Sequence, residues 1–419
     1  MQRDEGLVTT ISGLGTPDTS IPMRDKGQII FIGDFLFPEG DAAAIRTLSL
    51  ARICRDLGFA VTVIGKGQLR SEDYNRETGQ YHIEGIRYST MNPKRVSAIQ
   101  RLRHPISRIR QSVSALEAMN LEHTRAVIIN ASCSARHVPF VSAFCRRRSI
   151  PLIGDVCEWY DPRQMNYGRL DPSYAVFCLV FHWFLPRFRH LIVISKLLER
   201  HFGGQGRNVI RIVPAVDPSK IPCIDRTPRD RLVLLYAGLP GRKDLLREFL
   251  AALASLAPDE ISRIEFRLLG PTKQELIKLL GKSAGLLTQL AETVKPLGRV
   301  PRDRVLDALQ GAHFTVLLRP NQRYANAGFP SKVPESLAAG APVLLNLTSD
   351  LGEYLGDGTA ALPIHDCSPV EVAKAIRRAL QLSPEELQDL RRCARAKAEQ
   401  CFDYRLYLDT FTTYLEQLS

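Results

Sequence analysis

The chain of 419 residues is poor in the motifs that usually announce a chemistry. It has no apolar run near the roughly 18 residues that a membrane-crossing helix needs. The nearest candidate, Tyr174 to Leu185, is shorter and contains His182. The nine cysteines, at positions 54, 133, 145, 157, 178, 223, 367, 393 and 401, form no C-x-x-C pair. Their scatter and odd number argue against a disulfide framework and point to reduced thiols in the cytosol. None of the nine histidines stands three or four residues from another, which removes the helical zinc pair. No two aspartates are separated by a single residue, so the D-x-D clamp for a metal–diphosphate is absent. Gly281-Lys282-Ser283 resembles the end of a P-loop, but Leu276 stands where its first glycine belongs. Gly65-Lys66-Gly67 follows a strand candidate, but Arg70 occupies the third glycine position of a dinucleotide fingerprint. What remains is chemistry without metal or covalent machinery, done by positioning groups and stabilising a leaving anion.

Hydrophobic residues make up 45% of the chain and charged residues 24%, an ordinary globular balance that excludes collagenous, coiled-coil and disordered classes. The length favours two domains. Residues 1–26 read as a polar tail without the apolar region of a secretory signal. Charge is unevenly spread. Residues 1–215 hold 29 Lys+Arg against 19 Asp+Glu, whereas residues 216–419 hold 27 against 25, so most of the net +12 lies in the first half. A basic half calls for an anionic partner: lipid headgroups, nucleic acid or a phosphorylated substrate.

Short apolar runs alternate with amphipathic stretches in both halves. Strands are expected at 28–32, 60–64, 126–130, 151–155, 191–194 and 209–213, with helices at 41–57, 106–121, 136–147 and 173–189. Four prolines between 214 and 230 mark a linker. The alternation restarts with strands at 232–236, 266–269, 314–318 and 342–345, and helices at 243–256, 302–310, 332–339, 370–382, 384–400 and 404–418. This predicts an α/β chain of two Rossmann-like, doubly wound domains facing a cleft, residues 27–213 and 231–400, with 401–419 closing back on the first.

The most informative stretch runs from Leu318 to Val343. A glycine-containing loop, Gly328-Phe329-Pro330, leads to Ser331 as N-cap candidate, then Lys332, Pro334 and Glu335 in the first turn. A helix start of this kind offers free amides and a positive dipole end to an anion. Glu335 can accept two hydrogen bonds from a ribose diol; taken alone, it equally reads as a complement to the helix dipole. The helix ends in Ala338-Ala339-Gly340-Ala341-Pro342-Val343. The whole string resembles the nucleotide-sugar site of the retaining glycosyltransferases of family four, which have the two-domain GT-B architecture. The resemblance implies that Glu335 binds the donor ribose and that the amides of Gly328, Phe329, Pro330 and Ser331, with Lys332 beside them, meet the diphosphate and sugar. It also marks a departure: the family's first glutamate is replaced by Ala327, leaving Asn326 as the candidate hydrogen-bond partner for the sugar.

Three further stretches resemble the same family. Gly241-Arg242-Lys243 opens a helix after a strand, and the resemblance implies that Arg242 and Lys243 grip the diphosphate; cations there oppose the helix dipole, so local stability does not explain them. Pro38-Glu39-Gly40-Asp41 places Gly40 where a glycine loop faces the donor phosphates, or simply where a turn needs a glycine. At Asp155-Val156-Cys157-Glu158 the resemblance implies a polar residue near the acceptor hydroxyl, with Glu158 ranked over Asp155 as the group that orients it or takes its proton; each, taken alone, equally reads as a loop acid solvated at a strand end.

Residues 94–110 carry Lys94, Arg95, Arg101, Arg103, Arg108 and Arg110, no acid, and interleaved Ile99, Leu102, Ile106 and Ile109. They read as a basic amphipathic surface for anionic lipid or as a plain solvated helix. The aromatic-rich 177–188 is either a second lipid contact or helix core. The leading expectation is therefore a cytoplasmic glycosyltransferase on the inner face of the membrane, without cofactor or metal. It would move a sugar from a nucleotide-sugar donor to a glycan or lipid-linked acceptor in surface polysaccharide assembly. An accessory protein of the same fold without turnover is the alternative that Ala327 supports, and a related synthase or epimerase stays open. No nucleic-acid module is present.

Overall fold

The structure is a computed structural model that describes residues 26–67, 69–91, 105–204, 206–224, 230–241 and 243–418, without the side chains of 105–110. Its strands fall into two sheets. The first contains β1 (Gln28–Ile32), β2 (Ala60–Gly65), β3 (Tyr74–Asn75), β4 (Gln80–Ile83), β5 (Ile86–Thr90), β6 (Thr124–Asn130), β7 (Leu152–Val156), β8 (His190–Val193) and β9 (Asn208–Arg211), in the order β3-β4-β5-β2-β1-β6-β7-β8-β9. The second contains β10 (Leu232–Ala237), β11 (Ile264–Leu269), β12 (Val294–Gly298), β13 (Phe314–Leu317), β14 (Val343–Asn346) and β15 (Ala361–Ile364), in the order β12-β11-β10-β13-β14-β15. Apart from the β3–β4–β5 meander, every pairing is parallel.

The sequence explains this directly. Runs such as Ile29–Ile32 and Val233–Tyr236 are buried throughout, because helices cover both faces of a parallel sheet. Side chains alternate between the faces: Ile30 and Ile32 enter one core cluster, Ile29 and Phe31 another. The first of these clusters continues through Ala327, Phe329 and Phe402 to Val233 and Leu235, so one apolar core joins the two domains behind the cleft.

Several elements depart from the sequence expectation. The hairpin strands β3 to β5 stand on a tyrosine ladder, Tyr74–Tyr81 at 5.1 Å and Tyr81–Tyr88 at 5.9 Å between ring centres, inside a polar stretch with no apolar run. Strands β12 and β15 contain Pro296 and Pro363. Both are sheet edges, where a missing N–H is tolerated. The helix expected to run unbroken over 173–189 is α-helical only from Pro172 to Leu179, passes through a π turn at Val180–Phe184, and ends in a 3-10 turn containing Pro186.

The chain crosses back at its end. Val216 in the linker bridges to Asp403, and the Tyr404 hydroxyl donates to Asp56 of the first domain at 2.7 Å. Arg395, on the helix Pro384–Cys401, donates to the carbonyls of Pro218 and Ile221 and so clamps the linker to the second domain.

Asp155 corrects one sequence expectation. It is buried at the end of β7, where Nε and Nη2 of the equally buried Arg46 donate to it at 2.8 to 3.1 Å, while Nη1 of Arg46 reaches the Ile212 carbonyl. The pair ties the helix Ala42–Asp56 to the sheet. Asp155→Ala leaves an uncompensated buried guanidinium, and urea unfolding is expected to show a loss of about 3–5 kcal/mol; a loss under about 1 kcal/mol contradicts this structural role.

Candidate functional site

The carboxyl ends of β1, β6 and β7 face those of β10 and β13 across the cleft, where the turns and helix starts hold the candidate side chains. Three cations gather on the second domain's side. Lys332, first residue of the helix Lys332–Ala338, turns back over β10. Its Nζ lies 2.8 Å from the Tyr236 hydroxyl and 3.9 Å from that ring's centre. Gly238 makes this path possible: it has φ +126°, and a Cβ there would lie 2.5 Å from Lys332 Cε. Arg319 follows β13 and is held from both sides by Asn346, whose Oδ1 accepts from the Arg319 amide at 2.9 Å while its Nδ2 donates to the Arg319 carbonyl at 2.7 Å. Lys243 precedes the helix Leu246–Ala254 and points across the cleft.

One buried carboxylate, Asp244, sits among them. Its Oδ2 accepts from the Gly241 amide at 2.8 Å, and its Oδ1 stands 3.8 Å from Arg319 Nε. That nitrogen is buried and makes no hydrogen bond. Burial opposes ionisation of Asp244, but Lys332 and Arg319 outweigh it and hold the carboxyl below its usual range. Burial also lowers Lys332, to about 8, with Asp244 acting in the opposite direction. The pocket therefore holds more positive charge than its own domain neutralises.

The compensation comes from the other domain. Glu158, in the turn after β7, receives Lys243 Nζ on Oε1 at 2.8 Å. Its Oε2 is buried without a hydrogen-bond partner, and a Cβ at Gly328 would lie 3.1 Å from it. The amides of Cys157 and Glu158 donate to Ser132 Oγ at 2.8 and 3.1 Å, which fixes the turn. The structure thus brings together Glu158, Lys243, Gly328 and Lys332, residues 85 or more positions apart in pairs across the domains.

The second carboxylate is also engaged. Glu335 pairs with Arg302, the first residue of the helix Arg302–Gln310. Arg302 is partly buried, which disfavours its charge, while Glu335 and Glu39 favour it and raise its pKa overall. Glu39 belongs to the turn at the first domain's lip, so that turn faces Glu335 through Arg302. Gly40 beside it closes the turn, its amide donating to the Leu36 carbonyl at 2.8 Å.

Other expected residues have different places. Asn326 spends its amide on protein: Nδ2 donates to Asn321 Oδ1 and Oδ1 accepts from the Ser349 amide, each at 2.8 Å. It is a brace between loops, on the wall of a 480 Å³ cavity with Lys196, Arg323 and Asp350. Phe329 is core, packed at 5.9 Å from Tyr354 and 6.0 Å from Phe402. Pro330 is buried and Ser331 half-buried, the latter with no side-chain cap bond. Ala327 is fully buried and its carbonyl accepts from Ser195 Oγ at 2.7 Å, a contact between the domains. Arg242 lies outside the described residues.

Sequence reasoning missed Tyr236, Asp244, Arg302 and Arg319. Arg302 had a local signal, a cation in the first turn of a helix where it opposes the dipole. The spelling G-x-S-x-G at Gly281–Gly285 is not a nucleophile elbow, because it joins two helices rather than a strand to a helix. Among the described residues, no group of three or more His, Cys, Asp or Glu is placed to hold a metal ion.

Residues 242–412 match a family described as glycosyl transferase-like. A comparison with curated protein sequences finds no match. Solved structures are similar over nearly the whole chain. Sucrose-phosphate synthase from Thermosynechococcus elongatus has 14% identity and a TM-score of 0.70, covering 94% of this chain and 99% of that one. Anabaena HepE, in complex with UDP and glucose, has 15% identity and a TM-score of 0.65, covering 93% and 100%. The trehalose 6-phosphate synthase of Burkholderia multivorans has 14% identity and a TM-score of 0.62, covering 94% and 98%. The two parallel-sheet α/β domains thus share the fold of GT-B glycosyltransferase structures.

Proposed function

We propose that the chain is a retaining glycosyltransferase that moves a sugar from a nucleoside-diphosphate sugar to a glycan or lipid-linked acceptor. One observation carries the reading: Lys243, Arg319 and Lys332 converge around a single carboxylate of their own domain, at a cleft whose architecture matches GT-B structures. A diphosphate supplies the missing negative charge. The structural relatives that hold UDP or UDP-glucose support a nucleotide-sugar as its carrier.

In this reading donor binding exchanges partners. The diphosphate takes Lys243 from Glu158, and the ribose diol takes Glu335 from Arg302. The three cations then stabilise the departing nucleoside diphosphate by fixed electrostatics in a partly dry cleft, in place of a metal. The acceptor oxygen bonds to the anomeric carbon as the carbon–phosphate oxygen bond breaks. Glu158, released from Lys243, orients the acceptor hydroxyl, and the proton ends on Glu158 or on the leaving phosphate. Among the described residues no second carboxylate is seen to stand opposite Glu158 in the manner of a two-acid hydrolase, which suits transfer on one face of the sugar. A second reading, a nucleotide-binding accessory protein, is favoured by Ala327, which sits buried in a domain contact where the family pattern places a glutamate. Turnover with saturating donor separates the two.

Three outcomes are expected. Lys243→Ala costs about 2–4 kcal/mol of transition-state stabilisation, read from kcat/KM in a transfer or donor-hydrolysis assay; unchanged kinetics contradict its phosphate role. Glu158→Gln lowers the transfer rate about 100-fold or more while the variant still binds donor. Lys332 carries its charge below pH 8 and loses it above, and a bound anion favours the charged form. Calorimetry is therefore expected to show nucleoside-diphosphate affinity falling between pH 7.5 and 9, with proton uptake on binding, and neither effect in Lys332→Met. A flat profile in the wild type contradicts the assignment.

A further inference from the structure

Five large apolar side chains lie exposed within a short span of the first domain. Leu170 is 88% exposed, Tyr167 75%, Trp183 59% and Leu179 53%, and Val176 joins them. Val176, Leu179 and Trp183 recur at intervals of three and four residues and share the outer side of the helical stretch that begins at Pro172. Its inner side is already filled by Phe177, Val180, Phe181 and Leu185. The outer stripe is thus surplus to the core, and the span is apolar on both sides, which a solvated helix does not need.

Charge along this stretch of chain is almost all of one sign. From Arg163 to Leu198 the only acid is Asp171, and it is buried as a helix cap accepting from the Ser173 amide at 2.9 Å. Arg169, Arg187 and Arg189 are exposed. Arg187 lies over the Trp183 ring, 4.1 Å from its centre, an arrangement that seats an aromatic ring and a cation together at a headgroup layer. The helix Val138–Arg147 packs beside this stretch, and the helix Pro105–Glu117 packs beside that.

The patch adjoins the cleft. Trp159, next to Glu158, packs 4.7 Å from Phe181 and 4.3 Å from His201, and Arg323 of the second domain covers its ring at 4.6 Å. We propose that the face formed by Tyr167, Leu170, Val176, Leu179 and Trp183 docks on an anionic bilayer. The apolar side chains enter the interface and the arginines meet the headgroups, so that an acceptor borne on lipid reaches Glu158 from the membrane side. A protein partner with the same apolar requirement would also have to be acidic around its whole rim. A bilayer with anionic headgroups meets both conditions at once. The inference deepens the acceptor half of the proposed function, but docking itself does not depend on turnover.

The test is co-sedimentation of the full chain with vesicles of neutral lipid alone or with an added anionic lipid. Nucleoside-diphosphate affinity and thermal unfolding of each variant serve as controls, since none of the substituted residues lies in the cleft. Binding to anionic vesicles that falls with salt and drops at least tenfold in Leu170→Glu/Leu179→Glu/Trp183→Glu, with nucleotide affinity intact, supports the proposal. Binding indifferent to anionic lipid, or unchanged in the triple variant, overturns it. So does a dimer by light scattering that the same variant dissociates while vesicle binding is absent, because the face then belongs to a second copy. Failure of nucleotide binding in the wild type would sink the donor reading and leave the vesicle result to stand by itself.

Discussion

The ion pair between Glu158 and Lys243 is the hinge of this structure. It joins the two domains across the cleft, it closes the charge balance of a pocket with too many cations, and it occupies both groups that transfer chemistry would use. Neither partner is fully buried, so the pair is not a rigid strut whose loss unfolds the domain. Its worth as a stabilising contact is modest, since partly exposed pairs contribute little. That modest worth leaves the pair open to displacement by a competing anion.

The Arg302–Glu335 pair repeats the arrangement at a second carboxylate. Glu158 is held by a lysine and Glu335 by an arginine. The common logic is that a cleft without ligand must neutralise its own charges, and proximity decides the partners. Asp244 differs. Enclosed by Lys332, Arg319 and the Gly241 amide, it sets the field in which the cations sit. Arg319 follows from the same field: buried, braced by Asn346, with Nε making no hydrogen bond and 3.8 Å from Asp244 Oδ1.

The architecture was largely legible in the sequence because parallel strands buried on both faces spell uninterrupted apolar runs, as in Gln28–Ile32 and Leu232–Tyr236. The strands that were not legible are those where burial is one-sided or proline intrudes: the tyrosine ladder of β3 to β5, and the edges β12 and β15. The site was half legible. Lys243, Lys332, Glu335 and Glu158 stand in local patterns of glycine turn, helix start and charge. Their partners do not, because no spacing rule links Lys243 to Glu158 at 85 residues or Lys332 to Tyr236 at 96. The same limit explains Asp155, which reads like Glu158 in sequence but meets Arg46 from a helix 109 residues away. Asn326 and Phe329 are engaged by protein for a related reason: a loop needs its own braces and its own core, and those residues sit inside the motif they support.

The central claim is that a diphosphate and Glu158 compete for Lys243. A double-mutant cycle on nucleoside-diphosphate affinity, with Glu158→Gln, Lys243→Met and the pair together, measures this competition most directly. Screening UDP, GDP, ADP and dTDP by calorimetry first identifies the ligand. The account requires that Glu158→Gln tighten binding in the wild-type background and have no effect once Lys243 is gone, a coupling on the order of 0.5–3 kcal/mol. Additive effects of the two substitutions, or no uptake of any of the four nucleotides by folded protein, would contradict it.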